Sequence, residues 1–122
     1  MASSIVQYVV VRSDLITTLK WPLGAVIAQA CHATTAVMHL FKDDPHVQTY
    51  LSDVDNMHKV VLAAPDADAL TRLHEALREA AVDHKLWVEQ PEDVPTCLAA
   101  KPAPKVEVQK YFKKFKLFSV DL

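Results

Sequence analysis

The sequence predicts a single α/β domain over residues 1–122, with a mixed four-stranded β-sheet and helices packed on both faces. Short stretches of β-branched residues alternate with longer stretches of helical apolar spacing, in the order β-α-α-β-α-β-β-α. A chain of 122 residues has the size of one compact domain, and 51% apolar residues provide an adequate core. The first crossover predicts a right-handed parallel unit, and the last two strands predict an antiparallel hairpin.

The chain begins with a strand and a long helix. Residues 5–11 (IVQYVVV) are almost continuously apolar, which is typical of a central strand. A loop that contains Lys20 and Pro22 follows. Alanine, valine, isoleucine, leucine and methionine then recur at helical density, so a helix is predicted over residues 23–41.

The middle of the chain contains a short helix, a strand and an amphipathic helix. Asp44 and Pro45 form an N-cap and a first-turn proline, which predicts a helix over residues 45–51. The second strand is predicted over residues 59–63 (KVVLA). An amphipathic helix is then predicted over residues 66–81, with leucines on its buried side, charged residues on its solvent side and an aspartate as its N-cap.

The last part of the chain contains a hairpin and a basic helix. Strands are predicted over residues 84–89 (HKLWVE) and 96–100 (TCLAA). Pro91 and Pro95 bracket the acidic loop between them, because proline cannot take part fully in a ladder. A helix is predicted over residues 105–115. Two apolar residues that can dock the tail follow it, Leu117 and Phe118.

Charge is distributed unevenly along the chain. From Lys101 onward the chain has six lysines and two acidic residues, which gives this segment a net charge of +4, whereas the preceding hundred residues have a net charge of −6. A basic surface of this kind fits an anionic partner such as a nucleic acid, and a solvated amphipathic helix is the alternative. Cys31 and Cys97 are too few for a disulfide framework, so a cytoplasmic location is expected. Gln29 and His32 interrupt the longest apolar run, so no membrane span is expected.

The start of the long helix is the first candidate site. Gly24 is the only glycine of the chain, and the free N–H groups of a helix N-terminus favour an anion or a developing oxyanion. The alternative is that Gly24 only permits close packing or a tight entry into the helix. Gln29 could donate to a carbonyl or accept from a ribose hydroxyl, and His32 could act as a general acid or base. The alternative for both is a hydrogen-bonded position inside the core.

The predicted hairpin is the second candidate site. Glu89 ends one strand and Thr96 opens the next, so a carboxylate and a hydroxyl could share one cleft and activate water. An ordinary acidic hairpin has the same composition. A zinc site from Cys31, His32 and Cys97 is excluded, because adjacent helical residues diverge and a fourth ligand is missing.

Five segments of the chain form a recognisable series: VVVRSDL (9–15), GAVIAQACHA (24–33), KVVLAAPDADAL (59–70), LWVEQPEDVPTCLAAKPAP (86–104) and KKFKLF (113–118). In the same order, these segments resemble the archaeal and eukaryotic-type peptidyl-tRNA hydrolases, and most closely the divergent branch of peptidyl-tRNA hydrolase domain-containing proteins. The resemblance implies hydrolysis of the ester that joins a peptide to the 3′-terminal ribose of tRNA. It implies no metal or other cofactor.

The resemblance also implies roles for individual residues. Four residues are assigned to catalysis: Glu89, Thr96, Gln29 and Lys20. The family usually has an aspartate at the position of Glu89. Those assigned to peptidyl-tRNA or tRNA binding are Gly24, His32, Arg12, Asp14, Lys101, Lys105 and Lys113.

One departure from the family pattern bears on activity. The resemblance implies a catalytic lysine directly after the helix glycine, and Ala25 occupies that position. Lys20 in the preceding loop is the candidate replacement. The alternative function is a catalytically impaired module that binds RNA or a protein, and a homodimer and further protein partners stay open.

Overall fold

The fold is built around β1 (Ile5–Arg12), which lies at the centre of a mixed sheet. The computed structural model describes residues 4–120. The other strands are β2 (Lys59–Ala64), β3 (His84–Glu89), β4 (Val94–Ala100), β5 (Ala103–Pro104) and β6 (Lys116–Leu117). The sheet order is β3-β4-β1-β2-β6, and β5 pairs with the start of β1. β1 and β2 are parallel and the other pairs antiparallel, which confirms the predicted mixed sheet with its crossover and hairpin.

Five helices complete the described part of the chain: α1 (Asp14–Thr17), α2 (Leu23–Leu40), α3 (Pro45–Leu51), α4 (Ala67–Glu79) and α5 (Lys105–Val108). The two long helices cover opposite faces of the sheet, as predicted, because the β1 side chains alternate between faces. Tyr8 and Val10 pack with the leucines of α4, whereas Val9 and Val11 pack with α2.

The sheet has six strands rather than the predicted four. The two additional strands have two residues each, which is too short for a period-two pattern to be recognised in the sequence. The single turn α1 was also missed. Pro95, predicted to bracket a loop, lies inside β4 opposite Val88. At this position β4 no longer pairs with β1, so the proline costs no ladder hydrogen bond on the β1 side of the strand.

The predicted helix over residues 105–115 is much shorter in the structure. It ends at Val108 and continues as a 3₁₀ turn over Gln109–Tyr111. The buried Phe112 ring stacks on Tyr8 with centroids 4.4 Å apart, and this core contact interrupts the helical path. The tail then returns to the sheet as β6, so its last lysines lie far from the first ones.

α2 is the one helix among residues 4–120 whose length and apolar composition would allow it to cross a membrane. Gln29 and His32 therefore do not interrupt its apolar character as much as expected. In the fold α2 packs on the sheet through Val26, Ala33 and Val37.

We define two ends of the sheet, because the predicted site residues are divided between them. At the β1 carboxyl end, β1 finishes at Arg12 and the β3–β4 turn lies nearby, since Val11 pairs with Cys97 and Glu89 pairs with Val94. At the β1 amino end, the Lys105 amide donates to the Ser4 carbonyl.

Lys101 holds α3 to the strands at the β1 amino end. Its ammonium donates to Asp44 at 2.7 Å and to Asp83 at 2.9 Å, and its side chain is 15% exposed. Burial works to lower the pKa of Lys101, but the hydrogen bonds to the two carboxylates outweigh it and raise the pKa. Burial works to raise the pKa of Asp44, but Lys101 and the His46 amide hold it below its ordinary value.

We expect Lys101→Met to reduce the free energy of unfolding by about 1–2 kcal/mol, between the effects known for exposed and buried ion pairs. Lys105→Met, at an exposed helix position, should leave it within about 0.5 kcal/mol of the unchanged protein. The stability lost in Lys101→Met should diminish as the pH falls through the lowered pKa of Asp44, because a protonated Asp44 no longer pairs with Lys101 even in the unchanged protein. Urea unfolding at several pH values measures both effects, and equal midpoints for the two variants would contradict the structural role.

Candidate active site

The site lies where the first turns of α2 meet the β3–β4 hairpin. Glu89 is the last residue of β3, and Gln29 is on the face of α2 that covers the sheet. Between β3 and β4, Trp87 pairs with Cys97 but Val88 pairs with Pro95. Thr96 is therefore the extra residue of a β-bulge, which frees it from the ladder and allows its side chain to reach α2.

A chain of hydrogen bonds joins these elements. The Thr96 hydroxyl donates to Gln29 Oε1 at 2.8 Å, and Gln29 Nε2 donates to Glu89 Oε2 at 3.0 Å and to the Ala25 carbonyl at 3.1 Å. Trp87 Nε1 donates to the other carboxylate oxygen, Glu89 Oε1, at 3.2 Å. Both amide hydrogens of Gln29 and the single hydroxyl hydrogen of Thr96 are thus engaged within the protein.

Two residues of this network are buried, and the carboxylate is accessible to solvent. Thr96 is 0% exposed and Gln29 is 1% exposed, whereas Glu89 is only partly buried. Hydrogen bonds from Gln29 and then from Trp87 stabilise the charged form, so the pKa of Glu89 lies below its ordinary value. Glu89 is therefore an ionised carboxylate at neutral pH, with acceptor positions left for a water molecule.

The first turn of α2 lies beside this carboxylate, because Gln29 bonds to both Glu89 and the Ala25 carbonyl. The N-cap is Pro22, no side chain caps the helix, and its first turn has no acidic residue. Among residues 4–120, the amides of Leu23 and Gly24 find no acceptor. A Cβ added at Gly24 would meet nothing within 4 Å, so the close-packing explanation of this glycine is wrong.

Arg12 and Asp14, predicted to bind substrate, are bonded to each other and to the hairpin. Arg12 Nε and one terminal nitrogen donate to the two Asp14 oxygens at 2.9 and 2.8 Å. Its other terminal nitrogen donates to the Pro95 carbonyl at 2.9 Å. This buried guanidinium fixes the strand next to Thr96.

His32 and Lys20 both lie at the surface. The hypothesis of a core position is wrong for His32, whose exposed ring stacks on Trp87 with centroids 4.9 Å apart. Lys20 lies in the turn before α2 with a φ of 58°, a conformation that is uncommon for a residue with a side chain. No hydrogen bond or ion pair joins Lys20 to Gln29, Glu89 or Thr96 within residues 4–120.

The basic residues of the C-terminal region are divided between the two ends of the sheet. Lys101 and Lys105 lie at the β1 amino end, away from Glu89, and Lys113 is exposed after the 3₁₀ turn. Lys114 and Lys116 return with β6 to the β1 carboxyl end. There they line, with Arg72 and Ser13, a groove of about 490 Å³. Net charge along the sequence gave no sign of this division.

The described part of the chain contains no cluster of residues that could hold a metal ion. No group of three or more histidine, cysteine, aspartate or glutamate side chains converges there. Cys31 is exposed and Cys97 is buried, and burial raises the pKa of the Cys97 thiol to about 12.

Two parts of the site were not predicted, although the sequence contained a signal for one of them. Trp87 and Glu89 are two residues apart on a strand and so lie on the same face, which brings the indole N–H to the carboxylate. The second part is Arg72 on α4, which lines the basic groove, and no pattern in the sequence indicates this position.

Comparison with known proteins supports a common family. The model of the family described as peptidyl-tRNA hydrolase PTH2 matches residues 5–118. The human and mouse proteins named "Putative peptidyl-tRNA hydrolase PTRHD1" are each 51% identical over 115 residues, which is 93% of this chain and 82% of theirs. The protein named "Peptidyl-tRNA hydrolase" of Methanothermobacter thermautotrophicus is 27% identical over 116 residues, covering 91% of this chain and 97% of its own. The match spans the whole hydrogen-bonded network, and the chain belongs to the peptidyl-tRNA hydrolase PTH2 family.

Proposed function

We propose that this protein is an esterase that hydrolyses the bond between a peptide and the 3′-terminal ribose of tRNA. The observation that carries the proposal is one accessible, ionised carboxylate, Glu89, whose two oxygens are held by buried or partly buried neutral donors. Membership of the family and the names of the relatives support the same reaction.

In this proposal Glu89 is the general base. It accepts a proton from a water molecule, and the oxygen of that water attacks the ester carbonyl. Gln29 and Thr96 act as positioning residues and do not touch the carbonyl, because all their hydrogens are engaged within the network. This differs from the expectation, drawn from its side-chain chemistry, that Gln29 could donate to a carbonyl.

The oxyanion of the tetrahedral intermediate needs donors, and the start of α2 supplies them. The amides of Leu23 and Gly24 are free, and the positive end of an 18-residue helix dipole favours negative charge there. Ala25 adds no charge at this point. Lys20 lies two residues before the N-cap and is the nearest lysine in the chain that could add one.

The RNA backbone needs cations, and the groove at the β1 carboxyl end offers two lysines and an arginine that also pairs with Asp68 on α4. Arg72, Lys114 and Lys116 lie at the same end of the sheet as Glu89. Phosphate contacts of this kind position a nucleic acid and make its binding sensitive to salt. We propose that these residues, and not Lys101, receive the tRNA, in a reducing cytoplasmic compartment where the two free cysteines stay reduced.

The second candidate function is a module that binds tRNA or a protein without turnover, and the observation that favours it is Ala25. It uses the same basic groove. It differs from the esterase only in the chemical step after binding, so measuring turnover and affinity on the same protein separates the two.

We expect Glu89→Gln to lower kcat/KM for peptidyl-tRNA about 100-fold or more, which is the usual contribution of a general base. Glutamine preserves an acceptor for Gln29 but cannot take a proton. Release of labelled peptide measures the rate, and filter binding measures tRNA affinity, which should not change. Glu92→Gln, in the exposed turn of the same hairpin, is the matched control and should retain full activity. No release by the unchanged protein, with normal tRNA affinity, would leave the binding module as the function.

The pH dependence of the reaction should report the state of Glu89. Because its pKa is lowered, kcat/KM should be constant near neutrality and decrease only when the pH falls below that pKa. Trp87→Phe removes one donor to the carboxylate, so the pKa rises and the acid limb moves to higher pH. Trp21→Phe changes the other tryptophan and should leave the limb in place. An acid limb that moves equally in both variants would contradict this assignment.

We expect Gly24→Ala to separate stability from activity. Alanine fits the open space at this position and favours the helix, so the free energy of unfolding should stay the same or rise by up to about 1 kcal/mol. The added methyl group should hinder the ester at the helix start and lower kcat/KM about tenfold or more, an effect of about 1.4 kcal/mol or more on the barrier. Thermal unfolding and peptide release measure the two effects, and full activity of a stable Gly24→Ala protein would show that no substrate approaches this turn.

A further inference from the structure

A shallow aromatic depression adjoins the carboxylate on the flank of α2 that faces β3. We call it the His32–Trp87 surface. It has a volume of about 390 Å³ and is lined by Cys31, His32, Thr35, Ala36, His39 and Trp87. None of these side chains has a role in the esterase proposal except Trp87, which bonds to Glu89.

The surface is aromatic and open to solvent. The imidazole of His32 stacks on the indole of Trp87 at 4.9 Å with 29° between the planes, and His32 is exposed. β3 is the edge strand of the sheet in the described part of the chain, so no further strand covers Trp87. Stacked rings at an open edge are a platform for another ring.

The surface begins directly at the proposed general base. Trp87 Nε1 lies 3.2 Å from Glu89 Oε1, so the carboxylate and the aromatic platform are in contact. In a peptidyl-tRNA the ester is on the ribose of the last nucleotide, and the base of that nucleotide is attached to the same ribose. When the ester lies at Glu89, this base must therefore lie within one sugar of the carboxylate.

We propose that the His32–Trp87 surface binds the unpaired terminal nucleobase of the tRNA 3′ end by stacking. This inference rests on the proposed function and names the substrate group next to the reacting ester. The lining contains no lysine, arginine, aspartate or glutamate, so it suits a neutral aromatic ring and not a phosphate. His39 and the Thr35 hydroxyl can add hydrogen bonds to the base edge, while the stacking itself accepts any base.

Binding of a short oligonucleotide tests the inference without any hydrolysis. The probe is the trinucleotide CCA, and the control probe is the same molecule with an abasic 3′-terminal ribose. In a Trp21→Phe protein the only tryptophan is Trp87, so its fluorescence reports stacking. We expect CCA to quench this emission and to bind about 5- to 150-fold more tightly than the abasic probe, which corresponds to the usual effect of one stacked base.

Substitutions of His32 distinguish stacking from proton chemistry. His32→Ala should lose most of the preference for CCA, and His32→Phe should restore it, because phenylalanine retains the ring without the titratable nitrogens. His46→Ala, on α3, is the matched control and should leave the preference unchanged. With peptidyl-tRNA as substrate, His32→Ala should raise KM with little change in kcat.

The outcomes separate this inference from the esterase proposal. Equal affinity for CCA and the abasic probe, or binding that neither quenches Trp87 nor depends on His32, would overturn the stacking site and place the base elsewhere. Failure of His32→Phe to restore the preference would do the same. Stacking by a protein that releases no peptide would overturn only the esterase proposal, and peptide release without stacking would overturn only this inference.

Discussion

The primary amide of Gln29 is the contact on which the rest of the site depends. A side-chain amide has two donor hydrogens and one acceptor oxygen, and in this buried position each has a partner from a different part of the structure: the Ala25 carbonyl, Glu89 and Thr96. An unsatisfied polar group at such a depth would cost about 1–3 kcal/mol. No buried side-chain nitrogen or oxygen in residues 4–120 lacks a partner. The amide therefore fixes how α2, β3 and β4 lie against each other.

The network also determines the charge of the site. Glu89 is stabilised as an anion chiefly by hydrogen bonds from an amide and an indole, which are neutral, and the charge of His32 makes a smaller contribution. Hydrogen bonds from neutral donors are screened by salt much less than interactions between exposed charges. The groove with Lys114 and Lys116 depends on exposed charge. In the proposed function, salt should therefore weaken tRNA binding in the groove more than it changes the proton affinity of the Glu89 carboxylate.

The sequence predicted the elements of this fold much better than their contacts. The β-branched run of β1 and the leucine spacing of α4 are local patterns, and both elements formed where they were expected. For Gln29 and His32, three residues apart on α2, the sequence left both a role in chemistry and a position inside the core open. A separation of three residues turns a side chain by about 60° from its neighbour on the helix surface, which at the edge of the helix–sheet contact is enough to bury Gln29 and expose His32.

Contacts that depend on strand register could not be predicted in the same way. Thr96 reaches Gln29 because a bulge shifts the pairing by one residue, and that shift depends on how the whole hairpin fits under α2. The lysines of the C-terminal region are similar. Their separation along the chain is small, but the tail turns at the buried Phe112 and returns as β6, which places Lys116 and Lys101 at opposite ends of the sheet. A local charge count contains no information about such a turn.

The alanine at position 25 contributes to the site through its backbone. Its carbonyl accepts a hydrogen bond from Gln29, and a residue with any other side chain could do the same. Ala25 places no cation at the start of α2, and the amide, the carboxylate and the indole hold their positions by hydrogen bonds that do not involve its side chain. The geometry that ionises Glu89 and orients it is thus independent of the side chain at position 25. If hydrolysis occurs, the free amides of Leu23 and Gly24 must stabilise the oxyanion without the positive charge that a lysine at this position would add.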